Sequence, residues 1–180
     1  MSSIIQKELQ KEGYTVEIKN IFKGAFYCII RFPALLFQQG LSGFKEEKIL
    51  IQLDMEPQHF SFTSQEYLLN RFDVFTAIKV TPPEILLSQK FYAIYNRRRN
   101  KGRDFFDVGF LLSLNIKPNY DYLELKMNVE NEKELKEKIL DKCKNISMEE
   151  MGRDVAPFLF DEKDIKRVLL FPQLLKQSSL

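Results

Sequence analysis

The chain has 180 residues, 44% of them hydrophobic and 29% charged, with a net charge of +2. That is the profile of an ordinary globular protein with enough length for a real core, and it excludes both a disordered chain and a highly basic tail protein. The N-terminal residues lack a signal-peptide core, no apolar run approaches a bilayer span, and the two cysteines, Cys28 and Cys143, lie far apart. A cytoplasmic protein with free thiols is the expectation.

In chain order, residues 3–12 read as a short helix ending near Gly13. Two strand-like runs follow, Tyr14 to Phe22 and Ala25 to Phe32, with Lys23-Gly24 as the turn between them. The second run, Ala-Phe-Tyr-Cys-Ile-Ile-Arg-Phe, is apolar on both faces and suits a strand inside a sheet. A third strand is expected from Lys48 to Met55, with Ile49, Ile51 and Leu53 facing one way and Leu50, Gln52 and Asp54 the other. Residues 57–72 give no clear period and read as loop with one helical turn. Val74 to Val80 is the fourth strand.

The pattern then turns helical. Thr81-Pro82-Pro83-Glu84 has the form of a helix start, with Thr81 as N-cap, and the helix should run to about Arg98. Further helices are expected at 103–115, at 131–144 with a stripe of Leu135, Ile139 and Leu140, and from Asp161 to about Leu170, closed by Pro172. The fold class is therefore α+β, a small mixed or antiparallel sheet followed by a helical half. The division expected is a sheet-rich part over 1–81 and a helical part over 82–180 packed against it.

Chemistry concentrates around one helix junction. Lys101-Gly102-Arg103-Asp104-Phe105-Phe106-Asp107 places Asp104 and Asp107 three apart, on one helix face, with Arg103 four residues before Asp107. The helix dipole favours an acid in such a first turn. In the preceding helix Leu86, Leu87, Lys90 and Ile94 fall along one side, and a lysine in an apolar stripe calls for an anion unless it reaches out to water. Arg97, Arg98, Arg99, Lys101 and Arg103 sit within seven residues, a basic link that can meet phosphates or simply face solvent. His59 is the only histidine and neither cysteine has a neighbouring ligand, which argues against a zinc site or a histidine-based nucleophile.

The run from Pro83 to Arg99, with Leu86-Leu87-Ser88-Gln89-Lys90-Phe91-Tyr92-Ala93 at its centre, followed by Gly102-Arg103-Asp104-Phe105-Phe106-Asp107, resembles the AbiEii/AbiGii toxin family of nucleotidyltransferases. Ile51-Gln52-Leu53-Asp54 is similar to the strand that carries an acid in that family's cleft, so the resemblance spans roughly residues 14–115. It implies transfer of a nucleotidyl group from an NTP, with magnesium, to an acceptor such as RNA, in a protein with a cognate antitoxin. Carried over, Asp54 would be the strand acid near the metal, Lys90 would neutralise triphosphate charge, and Asp104 or Asp107 would orient or deprotonate the acceptor. Arg103, Arg97 and Arg98 would contact substrate. The chain departs from the family pattern. The Gly-rich turn and helix that precede the metal-binding strand are not found, since Phe44 to Leu53 leaves no room for the helix after Gly40-Leu41-Ser42-Gly43. No Asp-x-Asp occurs anywhere, and Asp54-Met55-Glu56 is the nearest substitute. The expectation is of a chain lacking the N-terminal metal-binding segment, with Mg2+ serving only a complete enzyme and little activity alone. The other reading is a degenerate, non-catalytic fold that binds RNA or protein. An open sheet edge would also let two copies pair as a homodimer.

Overall fold

The computed structural model describes residues 2–23 and 25–180, and the chain divides into two compact units, Met1–His59 and Phe60–Leu180. The architecture is α+β with antiparallel sheets.

In the first unit, helix α1 (Ser2–Lys11) precedes a sheet of β1 (Glu17–Lys23), β2 (Ala25–Pro33) and β3 (Lys48–Met55), ordered β1-β2-β3. The strand that is apolar on both faces is indeed the central one. The turn expected at Lys23-Gly24 rests on Gly24, outside the described residues. In the β2–β3 register, Ile49, Ile51 and Leu53 stand opposite Phe32, Ile30 and Cys28, while Asp54 stands opposite Tyr27 on the other face. The alternation of β3 is therefore as its sequence reads, although Ile51 remains 45% exposed on the core-facing side of this edge strand. The core here is small: Val16, Cys28, Ile30 and Phe32, with Ile5, Leu9, Ile49 and Leu53 packed on them. A four-residue helix, α2 (Leu35–Gln38), lies between β2 and β3.

The second unit opens with a hairpin, β4 (Gln65–Arg71) and β5 (Val74–Val80), paired from Gln65↔Val80 to Arg71↔Val74. β4 falls where a loop with one helical turn was expected. Its sequence, Gln-Glu-Tyr-Leu-Leu-Asn-Arg, has no β-branched residue and no clean alternation, so only pairing with β5 reveals it as a strand.

Helices α3 (Pro83–Asn96), α4 (Gly102–Ser113), α5 (Tyr120–Met127), α6 (Glu132–Cys143), α7 (Met148–Val155), α8 (Lys166–Leu169) and α9 (Phe171–Gln177) complete the unit. Thr81 is not the N-cap of α3. Pro82 is, and it makes no side-chain capping bond. A residue before proline is forced toward extended backbone, so Pro82, with ψ 139°, cannot be helical and the helix begins at Pro83. The far end comes at Asn96, not Arg98: Arg97 turns extended, and the Asn100 side-chain amide donates to the Ile94 carbonyl at 2.7 Å. Pro172 does not close the last helix but occupies the first turn of α9, where its missing N–H is no loss. Asn119, Asn131 and Ser147 cap α5, α6 and α7 through their side-chain oxygens.

The core of this unit runs through all these helices. Leu87, Phe91 and Ile94 from α3 meet Phe105 and Val108 from α4, Tyr122 and Leu123 from α5, Leu135 and Ile139 from α6, and Phe171 and Leu175 from α9. The Phe105 and Phe171 rings pack edge to face at 5.0 Å. Leu86, expected in the apolar stripe of α3, is instead on the outside, with Ser88 taking a buried place. The Ser88 hydroxyl donates to the Glu84 carbonyl at 2.8 Å and accepts from the Asn119 N–H at 2.8 Å, which ties α3 to the start of α5.

Candidate functional site

Helices α3 and α4 form a hairpin joined by residues 97–101, and the residues singled out in the sequence meet at this junction. Lys90 lies on α3 one residue from the fully buried Phe91, so its stem runs along apolar surface while its amine reaches toward α4. There Nζ stands 2.7 Å from Asp107 Oδ2 and 3.4 Å from Asp104 Oδ1. Arg97 Nε is 3.3 Å from Asp104 Oδ2. Two cations and two carboxylates thus form one compact, self-neutralising group.

Its members differ in access to water. Asp104 is 1% exposed, Lys90 25% and Asp107 37%. Asp104 Oδ2 is buried and has no hydrogen-bond partner, because Arg97 approaches closely without the alignment of a hydrogen bond. Proximity supplies Coulomb attraction; a directed donor would add more. A buried carboxylate oxygen with spare accepting capacity is the chemically unusual feature of this junction.

Arg103 lies four residues before Asp107 on the same helix, within pairing distance along that side, but Asp107 turns to Lys90 and Arg103 is exposed without an ion pair among the described residues. The cross-helix partner wins because Lys90 is already held beside α4 by core packing and loses little freedom on pairing. Arg98 and Arg99 are likewise exposed in the link.

Asp54 is on β3 of the first unit, outside the unit that holds the cluster. It is exposed, and its Oδ1 accepts from the Gln52 side-chain amide at 2.7 Å. Magnesium takes six oxygen ligands in near-octahedral array. Among the described residues no three Asp, Glu, His or Cys side chains gather as a metal would need, and both acids of α4 face Lys90. This donor set does not by itself fit a metal ion.

One further hollow, of about 450 Å³, lies between the link and α7, lined by Arg99, Asn100, Asn145, Glu150, Arg153 and Asp154 among others. Its two guanidiniums are balanced by two carboxylates, so its charge selects no ligand class.

With this geometry in hand, the family comparison is decisive: residues 2–171 match the family described as nucleotidyl transferase AbiEii toxin, type IV toxin–antitoxin system. The chain belongs to that family. The match extends well beyond the stretch from 14 to 115 on which the sequence resemblance was drawn, and takes in α5 to α8. Neither curated proteins nor solved structures gave a match. Membership makes the protein a nucleotidyltransferase-like toxin of a toxin–antitoxin system. No helix among the described residues is long and apolar enough to cross a membrane.

Of the helices the sequence reading missed, α5, α7 and α9 among them, α7 is the one that bears on the site. Gly102, whose place in the Gly-Arg-Asp run looks like a simple helix start, is packed against α7, about fifty residues later in the chain. The segment Met-Glu-Glu-Met-Gly-Arg-Asp-Val is only eight residues long, yet two signals were there: Met148, Met151, Gly152 and Val155 recur at helical spacing, and Ser147 followed by Glu150 has capping-box spacing.

Proposed function

We propose that this toxin carries out nucleotidyl transfer from an NTP to an acceptor hydroxyl such as that of RNA, with the α3–α4 junction as the site. The observation that supports it is the meeting of Lys90 with two carboxylates from the facing helix, one of them buried with an unfilled oxygen. In the reaction the acceptor oxygen attacks the α-phosphorus, the bond from that phosphorus to the bridging oxygen breaks, and pyrophosphate leaves. The acceptor's proton passes to a carboxylate. Such transfer depends on position and charge more than on covalent help from the protein.

The roles follow from access. Lys90 neutralises triphosphate charge as Asp107 releases it, since Asp107 is the more exposed of its two partners. Asp104 or Asp107 then orients the acceptor hydroxyl and takes its proton. Arg97 stands where a phosphate would draw it away from Asp104, and Arg98 and Arg103 are free to meet phosphate from outside.

A magnesium ion would add neutralisation of phosphate charge, but Asp104 and Asp107, both turned to Lys90, do not form a set that holds one. The described residues do not gather a metal-binding set, so we infer that the 180-residue chain alone is severely impaired in transfer. Calorimetry with each NTP and magnesium tests this: weak binding is expected, and tight binding would contradict it. In a transfer-competent form, Lys90→Ala and Asp104→Ala are expected to abolish transfer in folded protein. RNA binding that persists in those variants, with no transfer by the unmutated protein under any condition, would instead favour a non-catalytic RNA-binding module built on the basic link.

A further inference from the structure

Arg103 and Asp104 belong to the first turn of α4, so whatever fixes that turn sets the distances of the cluster. Two contacts with α7 do so. The Gly102 N–H donates to Asp154 Oδ2 at 2.8 Å. A Cβ built on Gly102 would lie 1.9 Å from the Met151 carbonyl oxygen and 3.1 Å from the Val155 nitrogen. The two backbones therefore touch with no side chain between them, and glycine is required by that close approach.

Helix α7 is also packed on an adjacent face: a Cβ built on Gly152 would lie 3.1 Å from Leu169 and 3.3 Å from Ile165, so α7 rests closely on the residues around α8. Asp154 itself is a good holder. Its carboxylate sits at the positive end of α4, it accepts a charge-assisted bond from a backbone N–H, and Lys101 Nζ lies 4.0 Å away.

We infer that Asp154 is a positioning residue for the site: by holding the Gly102 N–H it sets the first turn of α4, and with it the approach of Asp104 and Asp107 to Lys90. The functional meaning of this rests on the reading of the cluster as the transfer site, while the geometric effect does not. The link spans 52 residues of sequence and joins the Gly-Arg-Asp run to an element with no catalytic motif of its own.

The test uses the full chain and no nucleotide. The carboxyl-carbon resonances of Asp104 and Asp107 and the Lys90 ammonium resonance are compared in the unmutated protein, Asp154→Ala and Asp154→Asn, below the melting point of all three. Asn keeps a side-chain oxygen acceptor. The expected result is that all three resonances move in Asp154→Ala and return toward their original positions in Asp154→Asn. A lowered melting midpoint in Asp154→Ala with the three resonances unmoved would make Asp154 a structural cap only and overturn the inference. Should that variant fail to fold, amide exchange in the unmutated protein decides. The Gly102 amide should be protected and the Arg103 amide, for which no acceptor lies among the described residues, should exchange fast. Equal exchange at both would overturn the inference. A cluster that answers to Asp154 but ignores added NTP would sink the proposed function and leave the positioning role intact.

Discussion

The two units are built on different scales of packing. Among the described residues the first holds its sheet with four buried residues and a fringe of half-buried ones, and leaves Phe22, Leu41, Phe44 and Leu50 exposed. The second runs one continuous core through helices from α3 to α9, with Leu87, Phe91, Phe105, Tyr122 and Phe171 fully buried. Each fully buried side chain of this size contributes about 1.5–3 kcal/mol, so stability should concentrate in the helical unit. The charged cluster sits on that well-packed frame, where a costly group such as the buried Asp104 carboxylate can be carried without collapse.

The contrast is broken most directly by unequal core truncations. Phe105→Ala should destabilise the second unit by about 3–5 kcal/mol. Ile49→Ala, half-buried on an edge strand, should do less than half as much to the first. Urea unfolding followed by probes in each unit would read this, with separate transitions expected and the first unit melting earlier. Equal losses from the two substitutions would erase the distinction.

Next in size is the cluster itself. Lys90→Ala leaves the buried Asp104 carboxylate facing Arg97 alone; full burial of the pair would make that worth about 3–5 kcal/mol, and the partial exposure of Lys90 lowers the expectation to about 2 kcal/mol. A double-mutant cycle with Asp107→Ala should show clear coupling, whereas additive losses would mean the two groups do not work together. Smaller again is Ser88→Ala, which removes the hydroxyl joining α3 to α5. Asn119 N–H also approaches the Glu84 carbonyl at 3.3 Å, so the loss should be about 1 kcal/mol, seen as a lower urea midpoint of the second unit only.

The last effect is on alkaline stability. Burial pushes the Cys143 thiol up to about 11, and burial reinforced by the Glu132 charge pushes the Tyr120 phenol up to about 12. Both groups are raised above their ordinary values near 9 and 10, so their contribution is whole below pH 9 and is lost as pH climbs toward 12. The second unit should therefore show a falling urea midpoint across that window. A midpoint that stays flat from pH 9 to 11 would contradict the burial of Cys143.

The sequence was legible where pattern and local chemistry agree. β3 and β5 stand where their apolar runs place them, and β2 is central because both its faces are apolar. The Lys90, Asp104 and Asp107 grouping was legible because helical spacing puts each on a predictable face. What stayed hidden was set by partners distant in sequence. β4 becomes a strand through β5, Asp107 chooses Lys90 over Arg103 because core packing brings α3 alongside, and Gly102 owes its identity to the Met151 carbonyl. The start of α3 was misplaced for a local reason, since the second of two prolines dictates the backbone of the first.

One titration addresses the central claim that the α3–α4 junction is where the nucleotide's phosphates act. The Lys90 ammonium and Asp107 carboxyl resonances are followed as NTP and magnesium are added to the 180-residue chain. Both should move together and saturate weakly, with no such response from Asp107 in Lys90→Ala. A nucleotide that binds while both resonances stay fixed, or that shifts Asp107 equally without Lys90, would show that the phosphates act elsewhere.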